Sequence, residues 1–303
     1  MQTNPEIGLR RNEPITGRFI KLHFLPLLAA LAGTGSVMAQ TGPAVSELNG
    51  QAAYAGGTMD ASEGHNFDAS ITLPVTHLFG FQADAMYSHI GDGDFYGGAG
   101  HFFWRDPAVG LLGLTGGYLD RTGVDTFQLG AEGQYYLGPI TFGFFGGVGQ
   151  INYANPEPFI DTTPTRFIGR ISADYYPVDD LRVGVSYTSA FEQILGRAEL
   201  EYQTPIRGLA LTAEASLGSH GYDDLLFGVR YYFGAKKNLR DRERQDAAPG
   251  LMHQILRGLG LYGAEFNQKG NAYLKSQGDS GNYGAYGSVD ESVNAAPPIT
   301  GVP

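Results

Sequence analysis

Carboxylates and arginines recur at alternate positions of short segments through the middle of this chain. Asp68, Asp84, Glu132, Asp174, Glu199, Glu201 and Glu214 stand among Arg166, Arg170, Arg182, Arg197 and Arg230. Each guanidinium offers a planar donor fork that serves one or two carboxylates. Such a set can pair internally and fill a narrow interior. It can equally line a watered passage whose slight excess of acid favours small cations. The residue types alone leave both open.

Other candidate chemistry is thinner. Ser219, His220, Asp223 and Asp224 are the right types for nucleophilic hydrolysis. Adjacent members of one loop rarely meet triad geometry, however, and Ser-Gly-Asp segments are commonly just solvated turns. No catalytic residue is assigned, and the chain is not read as an enzyme. Asp92, Asp94, Asp120, Asp125, Asp161, Asp223 and Asp224 could bind hard cations through oxygen, but no calcium-loop spacing is present. His65, His77, His89 and His101 do not fall at metal-ligand spacing, so no metal site and no cofactor is expected. The glycines from Gly143 to Gly149 are followed by no Lys-Ser/Thr, which excludes a phosphate loop.

The elements that must carry the charges are strands. In 66–75, Phe67, Ala69, Ile71, Leu73 and Val75 alternate with Asn66, Asp68, Ser70 and Thr72. Successive side chains of a strand point to opposite faces, so one face is oily and the other wet. The same period recurs at 81–88, 127–135, 166–175, 181–188, 197–203, 209–217 and 225–233. In 109–119 and 140–151 both faces are apolar or glycine, and the outward register is open there. Tight connections at 76–79, 106–108, 138–139, 178–180 and 204–208 alternate with longer polar ones at 57–64, 91–94, 120–123, 154–165, 189–196 and 219–224. Short turns at one end and longer loops at the other imply about twelve antiparallel strands closed into an up-and-down transmembrane β-barrel, all-β in class, with the short turns in the periplasm. Aromatics gather near the short turns, at Phe103, Trp104, Tyr135, Tyr136, Tyr175, Tyr176, Tyr231 and Phe233, as a headgroup girdle would require.

The ends bound the barrel. Arg10, Arg11, Arg18 and Lys21 precede an apolar run from Phe24 to Ala32, and Val37 and Ala39 suit cleavage after Ala39. Residues 1–39 therefore read as a secretory signal peptide. No later stretch is long and apolar enough to span as a helix, so any crossing falls to strands. There is no cysteine, which removes disulfides and thiolate metal sites. The 45 glycines, 12% aromatic content and mean hydropathy of −0.17 fit barrel hairpins whose inner faces meet water. A net charge of −11, with every lysine outside the strand region, argues against nucleic-acid binding. The barrel is placed at residues 45–234. Beyond it, 235–303 is rich in charge, then in Gly, Ser, Asn and Pro, and reads as a mostly disordered periplasmic tail in which Leu251 to Leu261 could form one short helix.

The last strand, Leu225 to Phe233, ends in an aromatic, and the run Arg230-Tyr-Tyr-Phe-Gly-Ala-Lys-Lys-Asn-Leu-Arg follows. In this the chain resembles Gram-negative outer-membrane β-barrel proteins of the porin-like kind, in a mostly uncharacterised proteobacterial group. The resemblance covers the signal and residues 45 to about 244. It implies the outer membrane as location, lipid and lipopolysaccharide as surroundings, and barrel-assembly machinery as a partner that reads the final strand. The long extension after Phe233 departs from porins that end at the aromatic; it is within reach of the cell wall or a periplasmic partner. The expected role is a narrow porin-like channel for small solutes or ions. The alternative is a structural barrel with a closed, ion-paired lumen, and an outer-membrane lipid or peptide hydrolase ranks below both.

Overall fold

The computed structural model describes residues 41–278; the expected signal peptide and the end of the tail lie outside them. Twelve strands run in chain order: β1 Asn49–Met59, β2 Ser62–Pro74, β3 Phe79–Ile90, β4 Gly93–Asp106, β5 Gly110–Arg121, β6 Val124–Leu137, β7 Ile140–Tyr153, β8 Thr165–Val178, β9 Leu181–Ala190, β10 Gln193–Gln203, β11 Leu209–Gly218 and β12 Asp223–Phe233. Each pairs antiparallel with its neighbours, and β1 closes on β12 from Gly50↔Phe233 to Met59↔Asp224. Closure leaves no sheet edge, the condition for backbone to cross hydrocarbon. The one irregularity is a register shift on β8 between Tyr175 and Val178. It falls at Pro177, whose missing N–H makes a bulge the natural place for it.

The alternation read from sequence sets the faces. Phe67, Ile71, Leu129, Ile171, Leu211, Phe227 and Val229 are exposed around the girth, while Asn66, Thr72, Gln128 and Ser216 on the same strands are buried. A continuous apolar belt on a closed cylinder is covered by lipid tails. The two undecided strands now have a register. Leu114, Tyr118, Phe142, Phe144 and Val148 face out, and Leu111, Thr115, Leu119, Phe145 and Ile151 face in.

Most outer connections are tighter than expected. Asp60 and Ala61 carry φ of 49° and 60°, and Phe191 and Glu192 carry 51° and 68°. Two consecutive residues in the left-handed region make the two-residue hairpin turn whose twist matches its strands. Strand pairing therefore continues through much of 57–64 and 189–196. Only 154–164 remains a long outer loop.

The largest departure follows β12. In place of a mostly disordered tail, residues 239–276 fold into two helices, α1 Leu239–Gln245 and α2 Met252–Ser276. The side chain of Asn238 caps α1, accepting from the Asp241 N–H at 2.8 Å. Helix α2 starts inside the barrel and leaves by the end opposite to that where β12 finishes. Its first turns contact mid-barrel residues such as Asp68 and Gln128. Later turns contact the outer connections at Asp161, Gln193 and His220. Nearly every residue from Met252 to Ala264 is buried, around the full circumference of the helix, as befits a helix enclosed by a wall. Gly258 and Gly260 disfavour an isolated helix; enclosed, Gly258 lets the helix approach Gln128, Ala190 and Phe191 of the wall.

Ile171 sits at the middle of β8, outward and 64% exposed. Ile171→Arg should cost about 2–4 kcal/mol of folding free energy, read as a shift in urea titrations of the protein refolded into phospholipid vesicles. Arg at the inward neighbour Ser172 should cost much less.

Candidate functional site

The lumen is built in two layers. At the mouth bearing the short turns the link between the helices is clamped by the wall. Arg105, fully buried on β4, donates to the carbonyls of Ala44, Asp246 and Ala247. Gln82 donates to the Ala248 carbonyl at 3.3 Å and accepts from its N–H at 2.7 Å, substituting for a backbone partner. Glu243 on α1 accepts from Thr141 Oγ1 and Tyr176 Oη, each at 2.8 Å. Burial, with Asp174 adding to it, holds this carboxyl above its ordinary range against those donors.

Beside this link lies a chamber of about 230 Å³ whose wall includes Asp68, Arg182, Glu199, Glu201 and Arg230. Its charges pair within the wall. Arg182 reaches Asp174 at 3.0 Å, Glu199 at 2.9 Å and Glu201 at 3.0 Å. Arg230 reaches Glu201 at 2.8 Å, and Tyr232 donates to the same carboxylate. Arg197 pairs with Glu199. His101 lies between Asp84 at 2.9 Å and Glu132 at 2.8 Å, one carboxylate on each ring nitrogen. A ring donates at both nitrogens only as imidazolium.

The outer layer is α2 itself. Gly97, Gly117 and Gly218 face inward beneath it. A Cβ at Gly117 would come within 2.8 Å of Ile255, and one at Gly218 within 2.5 Å of Leu261. These glycines hollow the wall to the width of a helix. Arg257 on α2 is buried and reaches the equally buried Asp224 at 2.9 Å and also Glu214; His253 reaches Asp68 at 3.3 Å. At the exit, the ring of Phe266 stacks on Tyr153 at 4.7 Å and meets Phe159 of the long loop edge-on at 5.2 Å. Phe191, held at positive φ, turns its ring onto Tyr262 at 5.8 Å.

The expected lumen residues largely meet here. Asp68, Asp84, Glu132, Arg170, Asp174, Arg182, Arg197, Glu199, Glu201, Glu214 and Arg230 all face inward. Arg166 is the exception: it lies at the outer rim, more than a third exposed, paired with Glu192 at 2.8 Å and Asp161 at 3.7 Å. The expected girdle divides. Tyr135, Tyr175, Tyr231 and Phe233 are exposed to lipid, whereas Phe103, Tyr136 and Tyr176 are buried inside. Adjacent residues on a strand cannot share a face, so paired aromatics had to split. The loop cluster does not assemble a triad. Ser219 Oγ accepts from the Ile194 N–H, His220 lies against Gln268, and Asp224 points inward to Arg257. Arg257 and Glu243 are not among the residues singled out from sequence, and His101 and Asp224 are weighed there only for metal binding and hydrolysis. Arg257 was discoverable as the one cation inside the apolar run 251–261.

An apolar belt around a closed antiparallel cylinder, with the charges turned inward, decides the class. The chain is a transmembrane β-barrel. No protein-family model matches the sequence, and no curated protein matches it. Similar solved structures include the KdgM porin in complex with disordered oligogalacturonate, at 12% identity and a TM-score of 0.46 over 61% of this chain and 99% of that one. The COG4313 outer membrane channel from Pseudomonas putida F1 is 13% identical, with a TM-score of 0.45 over 62% and 95%. The outer membrane protein Omp33 of Acinetobacter baumannii is 12% identical, with a TM-score of 0.43 over 62% and 99%. At such identities and scores, the chemistry of this barrel is read from its own lumen.

Arg257→Met removes the shared cation from the buried Asp224 and the half-buried Glu214, a change worth about 3–5 kcal/mol where a buried charge loses its partner. The loss should fall on the seating of α2. Amide hydrogen exchange should accelerate across 252–266 while the strands keep their protection.

Proposed function

We propose that the protein is a narrow porin-like conduit for small solutes or ions, governed by its own C-terminal helix. One observation carries the reading: polypeptide closes the route, not the wall. Helix α2 fills the outer half of the lumen, and the inner half is a charged chamber of about 230 Å³. The pairs of Arg182 and Arg230 lie within the wall and survive departure of the helix. Departure would strip Arg257 from Glu214 and Asp224 and His253 from Asp68, making the open wall more acidic and favouring cations. Export by a signal cleaved after Ala39, insertion by barrel-assembly machinery and seating among lipopolysaccharide complete this reading.

In planar bilayers the full chain should be nearly silent. A chain ending at Gly250 keeps the clamp of Arg105 and Gln82 and should give a steady, small, cation-selective conductance. If that truncated protein retains heat-modifiable mobility yet stays silent, the closed structural barrel is the better account.

On this reading the helix end lies away from the periplasm. In this cysteine-free chain, Ser276→Cys should react with a membrane-impermeant maleimide on intact cells. Reaction only after permeabilisation would place that end in the periplasm.

A further inference from the structure

Helix α2 continues well past the ion pairs that place it. Its outer part carries Tyr262, Phe266 and Tyr273, and these spacings put the three rings on one face of the helix. The long loop after β7 meets that face. Phe159 packs edge-on against Phe266 at 5.2 Å and lies 5.6 Å from Tyr273. Ile160 packs against the buried cluster to which α2 contributes, and the Asp161 carbonyl accepts from Tyr262 Oη. Three consecutive loop residues thus grip the helix.

The loop is in turn fastened to the barrel. The Ile151 N–H donates to the Pro164 carbonyl at 3.1 Å and the Tyr153 N–H to the Thr162 carbonyl at 2.8 Å, so β7 keeps a partner up to Thr162. The Ala154 N–H donates to the Gly123 carbonyl of the neighbouring connection at 2.9 Å. Between these anchors, Pro156 and Pro158 bring no N–H, and 154–161 cannot prolong the β7–β8 ladder. A two-residue turn joins β1 to β2 and β9 to β10. Residues 154–161 are far more chain than the connection from β7 to β8 requires, and what they add is the grip on α2.

We infer that 154–161 is a strap that locks the outer half of α2, and that this half comes free when the strap lifts while Arg257 still holds the inner half. The two fastenings differ in kind. Arg257 and its carboxylates are enclosed by wall and plug, whereas the strap is held by ring contacts of modest strength at the mouth opposite the short turns, with Ala154, Asn155 and Pro156 exposed. The outer fastening is therefore the one an agent in solution can reach first. For passage, this device rests on the gated-conduit reading; the grip itself does not.

The test uses the full chain in uncharged detergent. Lys269 lies on α2 with its side chain about half exposed, paired with Glu265, and trypsin cuts there only when the helix opens locally. Phe159→Ala removes both ring contacts and should speed that cut, and amide exchange across 262–270, about tenfold. Exchange across 252–258 and in the strands should stay unchanged. Replacing 154–161 with Asn-Gly keeps Tyr153 opposite Thr162 in a tight hairpin and should have at least the same effect. Phe167→Ala, which removes an outward ring of β8 that faces lipid, should change nothing. Unaltered cleavage and exchange in both strap variants, with heat-modifiable mobility retained, would overturn the strap; acceleration spread evenly over 252–276 would do so too, because the helix would then move as one unit. Conductance is a separate readout: strap variants whose helix end opens in a barrel that stays silent uphold the strap and count against the conduit.

Discussion

Hydrocarbon offers the backbone no hydrogen-bonding partner, and each unpaired amide there costs several kcal/mol. The β1–β12 ladder answers that constraint and imposes the next one. Twelve strands enclose a lumen wider than the eight-strand cylinder that side chains can fill unaided. The interior must be completed by water, by more polypeptide or by both. Here the chain does both: α2 occupies the outer half and a charged chamber occupies the inner half.

The fit of that helix depends on what the wall lacks. Inward glycines at Gly97, Gly117 and Gly218 make room for Met252, Ile255 and Leu261, and the helix brings glycines of its own at Gly258, Gly260 and Gly263. Each such glycine weakens an isolated helix by about 1 kcal/mol. A peptide of this composition would not hold its shape in water. Enclosure compensates, because burying Ile255, Leu256, Leu259, Leu261 and Phe266 against the wall exceeds the propensity deficit. Helix α2 therefore depends on a cylinder already closed.

That dependence explains what could be read from the residues. Strands such as Asn66–Val75 were legible because lipid demands strict alternation on one face, and Arg170, Arg182 and Glu201 followed as inward members of the same period. Helix α2 was only glimpsed as Leu251 to Leu261, since a helix enclosed on every side has no polar face to give it a helical period. The inward glycines carried the missing information, but a hollowed wall and a curved one use the same residue. Phe103, Tyr136 and Tyr176 depart from the girdle for a simpler reason: they cluster along the chain, whereas a strand assigns neighbours to opposite faces. Arg166 kept the inward parity and failed only because β8 rises past the lumen to the rim.

The ion pairs divide the lumen by what they fasten. Those of Arg182 and Arg230 join wall to wall, so they stabilise the cylinder whether or not the plug is seated. Those of Arg257, with the His253–Asp68 contact beside them, join plug to wall. A buried pair adds little net stability over well-packed apolar groups, yet breaking it by displacing one partner is costly. The helix therefore has one axial position at which Arg257 meets both carboxylates, and a shift by a single turn of about 5.4 Å loses them. Such contacts specify where the plug sits more than how strongly it is held. That balance suits a closure that must be definite when seated and still able to leave.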